Sequence, residues 1–332
     1  MTDGSTTHQE LTLGRVREAA ERIAGIARLT PVLTSSTLDA EVDGTVLLKA
    51  EMFQRSGAFK FRGAYNRMAL LDLHERARGV VAYSSGNHGA AVALAARLLG
   101  ITAVVVVPAT GSPAKLAAIE GYGAQVHRYD PARERREEVA AAIAAERSLT
   151  MIRPFDDYDI MAGQGTLGIE LAAQAGLAGL DQVVLPVGGG GLAAGVSTAI
   201  KGLLPEAAVI GAEPEAADDT RQSMRAGRRV SIPPPVTMAD GLLAEQPGEL
   251  TFAVNSRLLD DVVAVPEAAI ADAMRFCFTR LKLVAEPSAA VALAAVRTGA
   301  VSCSGRRTAV VLSGGNIDPA TLTACLAQAL PA

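Results

Sequence analysis

Lys60 stands in the run Ser56-Gly57-Ala58-Phe59-Lys60-Phe61-Arg62-Gly63-Ala64, and two glycine loops far downstream complement a lysine amine. Gly188-Gly189-Gly190-Gly191-Leu192 follows the apolar, strand-like stretch 182–187, and Ser313-Gly314-Gly315-Asn316 follows 308–312. A lysine amine condenses with an aldehyde as a Schiff base, glycine backbone entering a helix offers N–H groups to a phosphate, and a serine hydroxyl can meet a ring nitrogen. Together they specify pyridoxal phosphate. Taken alone, Lys60 between Phe59 and Phe61 reads more readily as a lysine snorkelling from a core helix, although the same apolar surround favours the neutral amine.

A rival reading exists. Gly188-x-Gly190-x-x-Ala193 formally fits a dinucleotide fingerprint, and Glu213 falls 20 residues after Ala193, which would suit a nicotinamide-dinucleotide oxidoreductase. That reading leaves Lys60, Ser313 and the loop Ser84-Ser85-Gly86-Asn87-His88-Gly89 without roles. A Walker A loop fails because Val196 and Ser197 stand where Lys and Ser/Thr are required. The Ser84 loop joins a strand to a helix, so its N–H groups suit a carboxylate, and a structural Asx or Ser turn is about as good an account of it. His88 has no metal-ligand spacing and fits loop bracing. The segment Glu213 to Asp219 offers hard oxygen ligands for Mg²⁺ or Ca²⁺, or merely an acidic helix start.

Alternating apolar stretches predict strands at 46–49, 80–83, 102–107, 125–129, 182–187, 208–212, 262–265 and 308–312. Helices are expected at 14–28, 89–99, 113–120, 133–145, 165–175, 192–203, 266–283 and 286–297. Strands apolar on both faces imply an α/β fold of mostly parallel sheets covered by helices. Pro154 and the acidic run 156–159 read as a crossing between lobes, and 231–235 as an irregular surface excursion. The 332 residues are 49% apolar and suggest two lobes, while 31 basic against 35 acidic residues give a net charge of −4, too small to attract nucleic acid or an anionic membrane. Cys277, Cys303 and Cys325 are isolated, which fits a reducing cytoplasm; the polar start 1–12 lacks the pattern of a signal peptide, and no apolar run is long enough to span a bilayer.

The runs around Lys60, Asn87, Thr166, Gly191, Glu213, Asp240, Glu286 and Ser313 occur in an order, from about residue 28 to 318, that resembles the fold-type II pyridoxal phosphate enzymes, the tryptophan synthase β-like group. Within them the chain is similar to serine/threonine ammonia-lyases and serine racemases. The resemblance implies a large cofactor-binding lobe from residues 1–69 and 153–332, a small mobile lobe from 70–152, no regulatory domain, and a homodimer. It implies that Lys60 holds the cofactor, Phe59 lies beside its ring, Asn87 meets the ring oxygen, Gly188, Gly189, Gly190, Gly191 and Leu192 cradle the phosphate, and Ser313 meets the pyridine nitrogen. Ser84, Ser85, Asn87, His88 and Arg136 would take the amino-acid substrate, with Arg133 and Arg135 close enough to exchange with Arg136. Glu213, the carbonyl of Ala217 and Asp219 would hold a divalent cation, Mg²⁺ or Ca²⁺. The implied reaction is β-elimination from small 3-hydroxy amino acids, L-threonine or L-serine, to a 2-oxo acid and ammonia, with Ser85 opposite Lys60 permitting some serine racemisation. Racemase or 3-hydroxyaspartate ammonia-lyase as the main activity is the alternative. Ala58 stands where the family commonly has serine.

Overall fold

The computed structural model describes residues 10–111 and 113–327. Its strands are β1 (Val32–Leu33), β2 (Thr45–Ala50), β3 (Val80–Tyr83), β4 (Ala103–Pro108), β5 (Gln125–Tyr129), β6 (Thr150–Met151), β7 (Gln182–Pro186), β8 (Ala208–Pro214), β9 (Asp261–Val265) and β10 (Arg307–Leu312). They form a six-stranded sheet in the order β1-β2-β10-β7-β8-β9 and a four-stranded sheet in the order β5-β4-β3-β6. Every pairing is parallel except that of β1 with β2. Strands β7 and β10 are buried along almost their whole length, since helices cover both faces of a parallel sheet. The edge strand β5 instead exposes Gln125, His127 and Arg128, a polar rim that discourages pairing with another chain.

In an open parallel sheet, ligands bind beyond the carboxyl ends of the strands. Strand β3 runs into the Ser84 loop, β7 into the glycine loop and β10 into the Ser313 loop. Because β7 and β10 are neighbours, with Val310 opposite Val184, their loops emerge side by side.

Several expected boundaries shift for local reasons. The helix expected from residue 133 begins at Arg136, because Asp130 first closes a turn whose carbonyl accepts the N–H groups of Arg133 and Glu134. The helix expected at 266–283 ends at Phe276 and passes into a π turn, Cys277–Leu281, stopped by Lys282 at φ 59°. Within the run 156–159, expected as part of a crossing between lobes, Asp157 accepts from the N–H groups of Asp159 and Ile160 and caps Tyr158–Ala175. The first helix stops at Ile23. Among the described residues, no helix is long and apolar enough to cross a membrane.

Candidate active site

Lys60 opens the helix Lys60–Ala69. Two residues on, the fully buried Arg62 guanidinium is gripped by Glu51 at 2.8 Å and by Glu170 at 2.6 Å, while buried Lys49 meets Glu170 at 2.6 Å. Removing one member would leave a buried charge uncompensated, so this cluster fixes the start of the helix firmly. The Lys60 Nζ donates to the Pro154 carbonyl at 2.8 Å and lies 5.2 Å from the centroid of the Phe59 ring. Loss of water around the half-buried side chain lowers its pKa from 10.5 to about 8, against the opposing pull of Glu286.

The Lys60 segment and the Ser313 loop, about 250 residues apart, are joined through the backbone. Phe59 N–H donates to the Ser313 carbonyl at 3.0 Å, Gly315 N–H to the Gly57 carbonyl at 3.0 Å, and Ala58 bridges Gly314. Ser313 is buried, and its hydroxyl makes no hydrogen bond among the described residues. Asn316 Nδ2 donates to the Ser56 carbonyl and to Asn87 Oδ1, and Asn87 Nδ2 donates to Glu286 Oε1 at 2.7 Å. Burial, reinforced by Asp240, pushes the Glu286 carboxyl up to about 8.

Asn87 begins the helix Asn87–Leu99, so the Ser84-Ser85-Gly86 loop sits at its amino end, where backbone N–H groups lack a preceding turn. Gly86 N–H donates to Ser84 Oγ at 3.2 Å, and Ser85 is partly exposed beside it. His88 is buried, with Nε2 3.0 Å from the Ile152 carbonyl, and burial together with Lys60 lowers its pKa to about 3. A carbonyl only accepts, so the neutral ring carries its proton on Nε2, and Nδ1 has no partner among the described residues. Arg136 is stacked 5.8 Å from the Tyr83 ring, at the end of β3, and pairs with Glu137 at 2.8 Å. Arg133 and Arg135 are more exposed and face Asp130 and Glu138 instead.

The glycine loop leads from β7 into the helix Gly191–Leu203, whose first N–H groups are open at its amino end. The ring of Phe155 lies where a side chain on Gly189 would sit. With this arrangement stands a family match: the model described as "Pyridoxal-phosphate dependent enzyme" covers residues 23–314. The chain belongs to the pyridoxal-phosphate dependent enzymes. It is 42% identical over 303 residues to an L-threo-3-hydroxyaspartate ammonia-lyase of Pseudomonas sp, covering 91% of this chain and 94% of that one. Its fold superimposes on maize serine racemase with a TM-score of 0.90 at 39% identity, covering 95% and 97% of the two chains. A T.th. threonine deaminase gives 0.88 at 44% identity, covering 92% and 99%.

For a pyridoxal-phosphate dependent enzyme the donor set fits its cofactor: a half-buried lysine of lowered pKa, a serine whose hydroxyl makes no hydrogen bond among the described residues, and open N–H groups at a helix start. The dinucleotide reading fails on Glu213, whose side chain is fully buried, accepting from the N–H groups of Thr220 at 3.2 Å and Arg221 at 2.9 Å, and so is closed off from a ribose.

The acidic segment has a different character. Glu213 and Asp219 are both fully buried, and both oxygens of Asp219 lack partners. Burial holds Asp219 up to about 7, and burial with Asp219 nearby drives Glu213 well above its ordinary range. Two dehydrated carboxylates side by side are costly without a compensating charge. Among the described residues no three His, Cys, Asp or Glu side chains cluster as a metal site, so a cation here would add main-chain oxygens such as that of buried Ala217.

Sequence reasoning missed Phe155 as a neighbour of the glycine loop, and gave Glu286 no role. The only signal for Glu286 was its place in a motif. For Phe155 there was none beyond its position after Pro154.

Proposed function

We propose that this enzyme eliminates ammonia from small L-3-hydroxy amino acids, serine and threonine foremost, giving a 2-oxo acid, with serine racemisation as a side activity. The observation that carries the reading is the backbone pairing of the Lys60 segment with the Ser313 loop, which unites the amine with a neutral hydroxyl partner for the cofactor's ring nitrogen. Pyridoxal phosphate, when bound, supplies the electron sink that acidifies the substrate Cα–H. A hydroxyl does not hold the ring nitrogen protonated as a carboxylate would, which restrains delocalisation and favours loss of a β-substituent over transamination. The similarity to ammonia-lyases and a racemase supports the same class.

Within that reading, Lys60 holds the cofactor with Phe59 beside the ring, Asn87 meets the ring oxygen, and residues 188–192 hold the phosphate. Lys60, once free, takes the Cα proton, for which a pKa of about 8 is well matched to neutral pH. Ser84, Ser85 and the Asn87 helix start hold the substrate carboxylate, with His88 bracing the loop through Ile152 and Arg136 near its rim. The lobe 70–152 closes over the site, and the ion pair of Lys115 with Asp240 spans from that lobe to the other.

Product analysis tests the reading. Incubation with L-threonine, L-serine and L-threo-3-hydroxyaspartate separately should yield equal amounts of 2-oxo acid and ammonia from the first two. D-serine without pyruvate would make the enzyme a racemase, and turnover confined to hydroxyaspartate would overturn the substrate assignment.

The buried pair Glu213 and Asp219 supports a divalent cation, Mg²⁺ or Ca²⁺, that braces the large lobe without entering the chemistry. Treatment with a chelator should lower both the activity and the melting temperature, and either ion should restore them. An enzyme indifferent to both would show that the pair shares a proton instead.

A further inference from the structure

Thr251 and Asn255 lie one turn apart on the helix Glu249–Leu258, both fully buried, and both direct a donor at the glycine loop. Thr251 Oγ1 donates to the Gly189 carbonyl at 2.7 Å, and Asn255 Nδ2 donates to the Gly190 carbonyl at 3.1 Å. A trans peptide is planar and carries its C=O and N–H on opposite sides. Holding the carbonyls of Gly189 and Gly190 toward this helix therefore turns the N–H groups of Gly190 and Gly191 away from it. Gly190 has φ +88°, and a Cβ there would approach Asn255 Nδ2 to 2.7 Å, so only glycine admits this contact.

The supporting helix is itself fixed from the lysine side of the site. Its own flanking residue Gly248 brings no side-chain cap, and Asp156 serves instead, Oδ1 accepting from Leu250 N–H at 2.9 Å and Thr251 N–H at 3.1 Å. The preceding Phe155 packs on Gly189 and Gly191, and Pro154 before it accepts the Lys60 amine. Three consecutive residues thus touch the amine, the glycine loop and the helix behind that loop.

We propose that Thr251 and Asn255 are positioning residues for the cofactor phosphate, aiming the Gly190 and Gly191 N–H groups, while Pro154, Phe155 and Asp156 keep that end in register with Lys60. The proposal rests on the pyridoxal phosphate reading of the site. It makes the phosphate grip depend on two side chains that never touch the ligand.

The test uses the full chain stripped of cofactor and titrated separately with pyridoxal phosphate and with pyridoxal, following cofactor absorbance, with thermal unfolding of each apo form as the control. Thr251→Val keeps the branched shape and removes the donor. Its Kd for pyridoxal phosphate should rise about tenfold, the scale of one hydrogen bond, while its Kd for pyridoxal stays within about twofold of the unmutated chain. Thr251→Ser, which retains the hydroxyl, should restore the native value, and Asn255→Leu should repeat the selective loss. Equal weakening toward both ligands, no change toward either, or failure of serine to rescue would overturn the proposal. An unmutated chain that binds neither ligand would instead overturn the cofactor reading beneath it.

Discussion

Alanine in place of Lys60 should lower the elimination rate by about a thousandfold or more, because in the proposed mechanism the same amine both holds the cofactor and moves the Cα proton. The fold should survive. The helix carrying Lys60 is anchored by Arg62, Glu51 and Glu170 rather than by the lysine, and the substitution abandons one hydrogen bond to Pro154 O, worth about 1 kcal/mol. Thermal unfolding of the cofactor-free forms should therefore differ little while activity collapses. The unmutated enzyme adds a pH dependence. The neutral amine is the reactive form, so attachment of pyridoxal phosphate should quicken as pH rises and level off above about 8, well short of the 10.5 of a free lysine. A rate still climbing steeply at pH 10 would show that burial does not tune this amine.

Ser85→Ala should abolish the formation of D-serine from L-serine, and the turnover of D-serine, while leaving much of the rate on L-serine and L-threonine. Racemisation needs a proton delivered to the face opposite the one from which Lys60 removes it, and Ser85 lies in the loop before Asn87, partly exposed next to Ser84. Alanine keeps the Cβ and the loop's backbone N–H groups, so carboxylate binding through them should persist. Loss of one positioned proton donor typically costs about 10²–10⁴-fold in the step it serves. Chiral analysis of residual and newly formed serine would check this. Racemisation that continues unchanged in the variant would remove Ser85 from the second face, and its absence from the unmutated enzyme would leave the serine a carboxylate ligand only.

Local pattern foretold the elements that carry the site. Whereas the polar edge strand β5 at 125–129 was legible from the repeating alternation of strand and helix, strand β3 at 80–83 matches its expected bounds because an apolar run flanked by glycine or a turn is a signal contained within its own residues. The same holds for the glycine loop after β7 and the Ser313 loop after β10. What pattern could not supply is which distant groups meet. Asp156 caps a helix that starts more than 90 residues later, and Thr251 reaches back 62 residues to Gly189, contacts that exist only once the chain has folded. Glu286 illustrates the middle case. Its motif was visible, yet its burial beside Asp240, which pushes its carboxyl to about 8 against the opposing hydrogen bond from Asn87, belongs to the tertiary structure. Arg136 shows the opposite weakness, for Arg133, Arg135 and Arg136 lie within four residues and pattern does not rank them, while the turn at Asp130 that starts the helix at Arg136 and the Tyr83 ring 5.8 Å away belong to the folded chain.

Borohydride reduction of the cofactor-loaded enzyme, followed by proteolysis and mass mapping, measures the central claim directly. Reduction makes a lysine–pyridoxyl linkage permanent, so the modified residue is read without any assay of activity. A single pyridoxyl group on Lys60 is the expected result. A group on Lys49, Lys115 or another lysine, or none on any, would contradict the assignment of Lys60 and the reaction derived from it.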